Sequence, residues 1–231
     1  MAPLRAAPPR AAAARADGPG RAGGETDSAE PFVPPKPTLP KLQSASKKCR
    51  GCRLWMFGTQ TVFGEGPADA RVVIVGEQPG DQEDLAGHPF IGPSGKLLDA
   101  ALEAAGVDRD RAYVTNAVKH FKWEERPGTK RRIHKKPSNA EVLACHPWLE
   151  AELELLAPKV VVCLGATAAQ SLLGKDFRVS TQRGKVLKPW GATPVVIATV
   201  HPSSVLRAPA PERAAAEKEF FRDLKKVARF A

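Results

Sequence analysis

The chain has 231 residues, a formal charge of +10 at pH 7 and a pI of about 9.7. That balance points to a polyanionic partner, with nucleic acid ahead of an anionic membrane surface. No run of eighteen apolar residues exists, and the N-terminal arginines are not followed by an apolar stretch, so neither a membrane span nor a secretory signal is expected and the predicted location is cytoplasmic, at the nucleoid.

Residues 1–40 hold nine of the twenty-two prolines among many Ala, Gly and Arg. Such a composition buries too little apolar surface to offset chain entropy, so residues 1–42 are expected to be a disordered, mildly basic tail. Residues 43–231 are expected to form one domain, since about 185 residues suffice for a single core.

Past Lys48 the pattern changes. Cys49-x-x-Cys52 comes first, a spacing that in a reducing compartment suggests metal or redox chemistry rather than a disulfide. Four short, Val/Ile-rich runs then read as buried strands: residues 71–77, 113–119, 160–166 and 195–201. Helical spacing separates them at residues 94–105, 138–156, 167–173 and 212–230, and Ser138 with Glu141 forms a capping box. Alternating strand and helix predicts a three-layer α/β/α sandwich around a central four-stranded parallel sheet.

Ligands of such sheets sit beyond the carboxyl ends of the strands. Glu77, Lys119-His120, Gly165 and His201 all fall there, which predicts one shared site. Gly76-Glu77-Gln78-Pro79-Gly80 makes a tight turn after the first strand, with Glu77 and Asp81 as carboxylates able to sit near a reacting sugar. Phe90 lies between two rigid turns, where an aromatic ring can stack on a base.

Residues 119–136 (KHFKWEERPGTKRRIHKK) carry eight Lys or Arg against two Glu, with Phe121, Trp123 and His134 interleaved. This composition suits phosphate neutralisation together with base contact. A neutral imidazole in such a segment can act as base or nucleophile near pH 7.

The other cysteines are Cys145, in a helix, and Cys163, in an apolar strand where cysteine behaves as a small hydrophobe. His120 is therefore an available fourth ligand beside Cys49, Cys52 and Cys145. Such a set could hold zinc or an iron–sulfur cluster, and spacing alone does not choose.

Five segments, taken in order, resemble the uracil-DNA glycosylase superfamily: Gly76–Gly80, Pro89–Gly95, Thr115–Lys119, Val160–Gly165 and His201–Ser203. The branch they resemble is its iron–sulfur branch, family four. Gln78, where that branch carries alanine, and Lys130-Arg131-Arg132-Ile133-His134 resemble the UdgX group. The resemblance extends from about Lys48 to the C-terminus. It implies binding of uracil-containing DNA, preferably single-stranded, by a monomer that does not engage membranes, and DNA repair by base excision.

It further implies a 4Fe-4S cluster on Cys49, Cys52, His120 and Cys145, recognition of the uracil edge by Asn116, and a hydrogen bond from His201 to the departing base. Covalent capture of the abasic sugar by His134, once per molecule, follows from the same resemblance, with Glu77 acting on His134 or on the sugar and Gln78 and Asp81 assisting. Phe90 would stack on the base, a backbone N–H of the turn from Gly76 to Gly80 would hold a uracil oxygen, Arg132 would hold the loop or a phosphate, and Ser204 and Arg207 would meet the DNA backbone. The rival expectations are a conventional multiple-turnover iron–sulfur glycosylase and a non-catalytic zinc-containing nucleic-acid-binding module.

Overall fold

The computed structural model describes residues 27–129, 131–187 and 195–231. Its elements, in chain order, begin with α1 (Leu39–Ser46), β1 (Val72–Gly76), α2 (Asp81–Ala86), α3 (Pro93–Ala104) and β2 (Ala112–Asn116). Next come a short pair, β3 (Trp123–Glu125) and β4 (Arg132–His134), then α4 (Asn139–Leu156), β5 (Val160–Leu164) and α5 (Ala166–Leu173). The chain continues through α6 (Val179–Gln182), β6 (Val186–Leu187), β7 (Val196–Thr199), α7 (Pro202–Leu206) and α8 (Ala210–Leu224).

The main sheet has strand order β2-β1-β5-β7-β6. Its first four strands are parallel, with Gly76 opposite Asn116, Val75 opposite Cys163 and Leu164 opposite Thr199. Every residue of these four strands is buried, as expected for Val/Ile-rich runs covered on both faces.

Alternate side chains divide between two cores. Val73, Val75, Val161 and Cys163 pack with Leu42 of α1 and Trp148 and Leu149 of α4. Ile74, Val114, Val162 and Ile197 pack with Leu98 and Leu102 of α3 and Phe220 and Leu224 of α8. This is the expected three-layer sandwich. Ser138 accepts from the Glu141 N–H while the Glu141 carboxylate accepts from the Ser138 N–H, so the capping box starts α4 as read.

Three expectations change. The sheet has a fifth strand, β6, antiparallel to β7; two residues are too few to leave a periodic signal. The basic insert, read as a loop, folds in part as a hairpin with Trp123 opposite His134. Pro127-Gly128 forms its turn, with Gly128 at φ +75°.

The boundary expected at residue 42 falls inside α1. Residues 1–26 of the expected tail lie outside the described residues. From residue 27 onward the chain packs: Ala29 is buried and its N–H donates to the Ala144 carbonyl at 2.6 Å, and Leu42 is fully buried. Pro31 and Pro40 sit in first turns, where a proline needs no N–H and its fixed φ suits the helix, and Thr38 caps α1. Prolines read as a sign of disorder here begin helices.

Candidate active site

Because the four long strands run the same way, their carboxyl ends form one edge. Ala117 N–H donates to Gly76 O at 2.9 Å, Val118 N–H to Glu77 O at 3.0 Å and Gly165 N–H to Thr199 O at 2.8 Å, so the chain leaves β1, β2 and β7 in register. Gly76 is thereby set opposite Asn116, and Gly165 beside His201; of the residues expected to share this edge, Lys119 instead turns inward to Glu152 and His120 lies beside Gly58.

Gly76 is required for space. A Cβ there would lie 2.3 Å from Asn116 Oδ1 and 2.6 Å from Phe90 Cζ. Asn116 is 3% exposed and so offers its amide from a dry site. Phe90 adopts φ +58°, a left-handed conformation that costs a non-glycine residue about 1 kcal/mol or more. Its carbonyl packs against Gly95, where a Cβ would stand 1.6 Å from that oxygen. The Phe90 ring is buried and lies nearly parallel to the His201 ring, at 27° and 6.3 Å between centroids.

His201 caps α7. Its Nδ1 accepts from the Ser203 N–H at 3.2 Å and lies 2.8 Å from Ser203 Oγ. In the neutral ring the proton therefore resides on Nε2, which is left as a donor. Burial pushes the His201 pKa down to about 4, helped by the positive potential of His134 and Arg207. The ring is neutral at pH 7. Ser204, expected at the DNA backbone, donates its hydroxyl to His201 O at 2.7 Å and so also serves this turn. Arg207 ends α7 close enough to act electrostatically on both histidines.

Glu77 follows β1. One carboxylate oxygen, Oε2, accepts from the Thr167 hydroxyl, and the other, Oε1, lies 3.5 Å from His134 Nε2. His134 ends β4 with about half of its side chain exposed. Partial burial lowers its pKa, Arg207 adds to that and Glu77 opposes it. The imidazole is thus disposed to be neutral with a lone pair available.

The hairpin carrying His134 is fastened from below. Gln78 is buried; its Nε2 donates to Lys135 O at 2.9 Å and Lys122 O at 3.2 Å, and its Oε1 accepts from the Lys122 N–H at 3.1 Å. One side chain therefore ties both strands. Arg132 donates to Asp81 Oδ1 at 2.5 Å and to Asp84 Oδ2 at 2.6 Å, and its guanidinium lies over Phe121 and Trp123. Of the two roles expected for Arg132, the structure gives it the loop. Asp81 is occupied by this pair, and Gly80 caps α2 beside Glu83. Trp123 Nε1 donates to Phe57 O at 2.7 Å, and Lys122 pairs with Glu141 at 2.8 Å.

Of the cysteines, Cys49, Cys52 and Cys145 are close enough to feel one another electrostatically, whereas Cys163 is shifted by burial alone. Three N–H groups aim at the grouped sulfurs: Gly51 N–H and Trp148 Nε1–H at Cys49 Sγ, 3.5 and 3.3 Å, and Lys119 N–H at Cys145 Sγ, 3.3 Å. Burial pushes the thiol of Cys52 up to about 11 and that of Cys145 to about 12. Burial and then the charge of Arg50 push His120 down to about 4, leaving a neutral imidazole. Soft donors in a dry pocket with N–H groups pointing at sulfur fit a thiolate-held cofactor. Among the described residues, no three such side chains converge closely enough to hold a single metal ion.

Sequence reasoning missed three residues. Thr167 follows the third strand and holds Glu77. Asp84 is fully buried and takes Arg132 and the Thr59 N–H. Glu152, fully buried in α4, pairs with Lys119 at 2.6 Å and accepts from Tyr113 and Thr115, while Lys119 also donates to Asn116 O at 2.8 Å. A lone carboxylate inside the apolar stripe of α4 was the available signal for Glu152.

Residues 63–225 match the family model of the uracil DNA glycosylase superfamily. The type-4 uracil-DNA glycosylase of Thermotoga maritima is 40% identical over 162 residues, 70% of this chain and 79% of that protein. That of Archaeoglobus fulgidus is 39% identical over 185 residues, 78% and 86% of the two chains. That of Sulfurisphaera tokodaii is 36% identical over 179 residues, 74% and 77%.

Proposed function

The chain belongs to the uracil-DNA glycosylase superfamily, and we propose that it excises uracil from DNA, preferably single-stranded, and then captures the abasic sugar on His134. The observation that carries the second part is the position of His134 Nε2, 3.5 Å from Glu77 Oε1 at the strand edge where Asn116 and His201 also converge.

A uracil stacked in a duplex is out of reach, so the base is flipped out or met in a single strand, at a cost of a few kcal/mol. Stacking on Phe90 and contacts from the basic insert offset that cost. Asn116 supplies a donor and an acceptor to the uracil O4 and N3–H. As the C1′–N1 bond breaks, its electron pair leaves with the base. The Nε2–H of His201 donates to uracil O2 and stabilises the developing anion.

The sugar becomes an oxocarbenium ion, and the lone pair of one His134 nitrogen forms a bond to C1′. The proton on the other imidazole nitrogen leaves to Glu77 or to solvent, giving a neutral N-alkyl imidazole. Gln78 and Arg132, with Asp81 and Asp84, hold the hairpin so that the ring stands at this point. One chain is consumed per lesion, and it acts as a monomer.

Cys49, Cys52, Cys145 and His120 would hold a 4Fe-4S cluster. The N–H groups aimed at the sulfurs of Cys49 and Cys145 support thiolate ligation of such a group. It would cross-link the segment before β1 to α4 and supplies no electron to the reaction.

Incubation with uracil-containing single-stranded DNA tests the reading. A protein–DNA band that survives boiling in SDS, stoichiometric with released uracil, supports it. Uracil released in excess of protein with no such band would establish ordinary multiple turnover. Binding with no uracil released would leave only a nucleic-acid-binding module.

A further inference from the structure

We propose that Thr167 is a positioning residue that commits Glu77 to His134 and so decides whether the sugar is captured or hydrolysed. The inference rests on the capture reading above and deepens it. Thr167 lies in the first turn of α5, directly after β5, and is 5% exposed. Its hydroxyl donates to Glu77 Oε2. Glu77 follows β1, which pairs with β5 at Val75 and Cys163, so neighbouring strands deliver the two side chains to one edge.

A glutamate at a strand end rotates freely unless held. Thr167 is buried in the first turn of a helix, which makes its hydroxyl a fixed reference point. With Oε2 engaged there, Oε1 is the oxygen left to face His134 Nε2 at 3.5 Å. A hydroxyl has one proton to give, and giving it to Oε2 suits the ionised carboxylate. Thr167 thus fixes which way the carboxylate points while touching neither base nor sugar.

Without the hydroxyl, Glu77 loses its orientation. A freely turning carboxylate in this place can present a water molecule to C1′, and hydrolysis then competes with attack by His134. The quantity that moves is the ratio of covalent adduct to free abasic DNA.

Two substitutions separate the hydroxyl from the packing. Thr167→Val keeps the shape and removes the hydroxyl, whereas Thr167→Ser keeps the hydroxyl and removes the methyl. Single-turnover reactions on uracil-containing single-stranded DNA give released uracil, SDS-resistant adduct and free abasic product for each protein. The expected result is an adduct-to-abasic ratio about tenfold lower in Thr167→Val, as for the loss of one hydrogen bond to a charged group, with near-normal uracil release and a wild-type ratio in Thr167→Ser.

An unchanged ratio in Thr167→Val overturns the proposal, as does a ratio that falls in Thr167→Ser and not in Thr167→Val, since packing would then be the cause. If Thr167→Val loses uracil release altogether, Thr167→Ser decides: a wild-type ratio supports the role of the hydroxyl, and a lowered one overturns it. If the wild-type protein forms no adduct, the capture reading itself has failed, and the inference falls with it through a result distinct from the others.

Discussion

His134 Nε2 stands 3.5 Å from Glu77 Oε1, although the two residues lie on separate elements, one at the end of a hairpin strand and the other just past the first strand of the sheet. Their meeting depends on Gln78, the residue after Glu77, whose amide bonds to both strands of the hairpin. The carboxylate and the clamp are adjacent in sequence, so the geometry of one is bound to that of the other.

Gln78→Leu tests the clamp. It removes three hydrogen bonds, each with a net contribution of about 1 kcal/mol, and leaves the pocket of Asn116, Phe90 and His201 in place. Uracil release should persist while adduct formation falls at least about tenfold, and the Lys122 amide should exchange with solvent faster. Equal loss of release and capture would show that Gln78 serves the chemistry of the base instead.

Removing the donor on the departing base acts earlier. His201→Ala should slow uracil release about 100- to 1000-fold, the usual effect of deleting one oxyanion donor, and should slow capture in step, since capture follows release. A variant that released uracil normally would remove His201 from the mechanism.

The pH dependence follows from two depressed histidines. Burial holds His201 near pKa 4, and burial also lowers His134 against the opposing charge of Glu77. Release depends on His201, so in single turnover it should stay level through the range where an ordinary histidine titrates, about pH 6 to 7. It should fall as pH approaches about 4, where protonating Nδ1 sets it against the Ser203 N–H and frees the ring from its place. A histidine with a lowered folded pKa favours the unfolded chain as it protonates, so stability also declines as pH drops from about 6.5 towards about 4. A release profile with its midpoint near 6.5 would contradict this.

The sulfur site predicts a difference between two cysteines. The protein should be coloured, with iron and acid-labile sulfide, and Cys145→Ser should lose colour and unfold at lower temperature. Cys163→Ala should keep its colour, because Cys163 sits alone in β5. A colourless protein holding stoichiometric zinc when prepared without oxygen would refute the cluster.

Much of the fold was legible because parallel strands covered on both faces carry unbroken Val/Ile runs, and because Ser138, Glu141 and Gly174 mark helix ends. Strand direction alone placed Glu77, Gly165 and His201 at one edge; Asn116 came only from the family resemblance, and Lys119, expected at that edge, turns inward to Glu152. Local pattern could not reveal partners distant in sequence. Thr167 and Glu77 are 90 residues apart, and Arg132 and Asp84 are 48 apart. For that reason the ion pairs of Arg132 with Asp81 and Asp84 could not be read from the sequence. The prolines of residues 27–42 misled because composition does not distinguish a proline that begins a helix from one that prevents it.

Capture amounts to a bond between His134 and C1′ of the sugar, which peptide mass spectrometry of the nuclease-treated, SDS-stable adduct would locate. The expected result is a deoxyribose-bearing remnant on the peptide containing His134, attached at the imidazole, and no adduct from His134→Ser. A remnant on any other residue, or an undiminished adduct from His134→Ser, would contradict it.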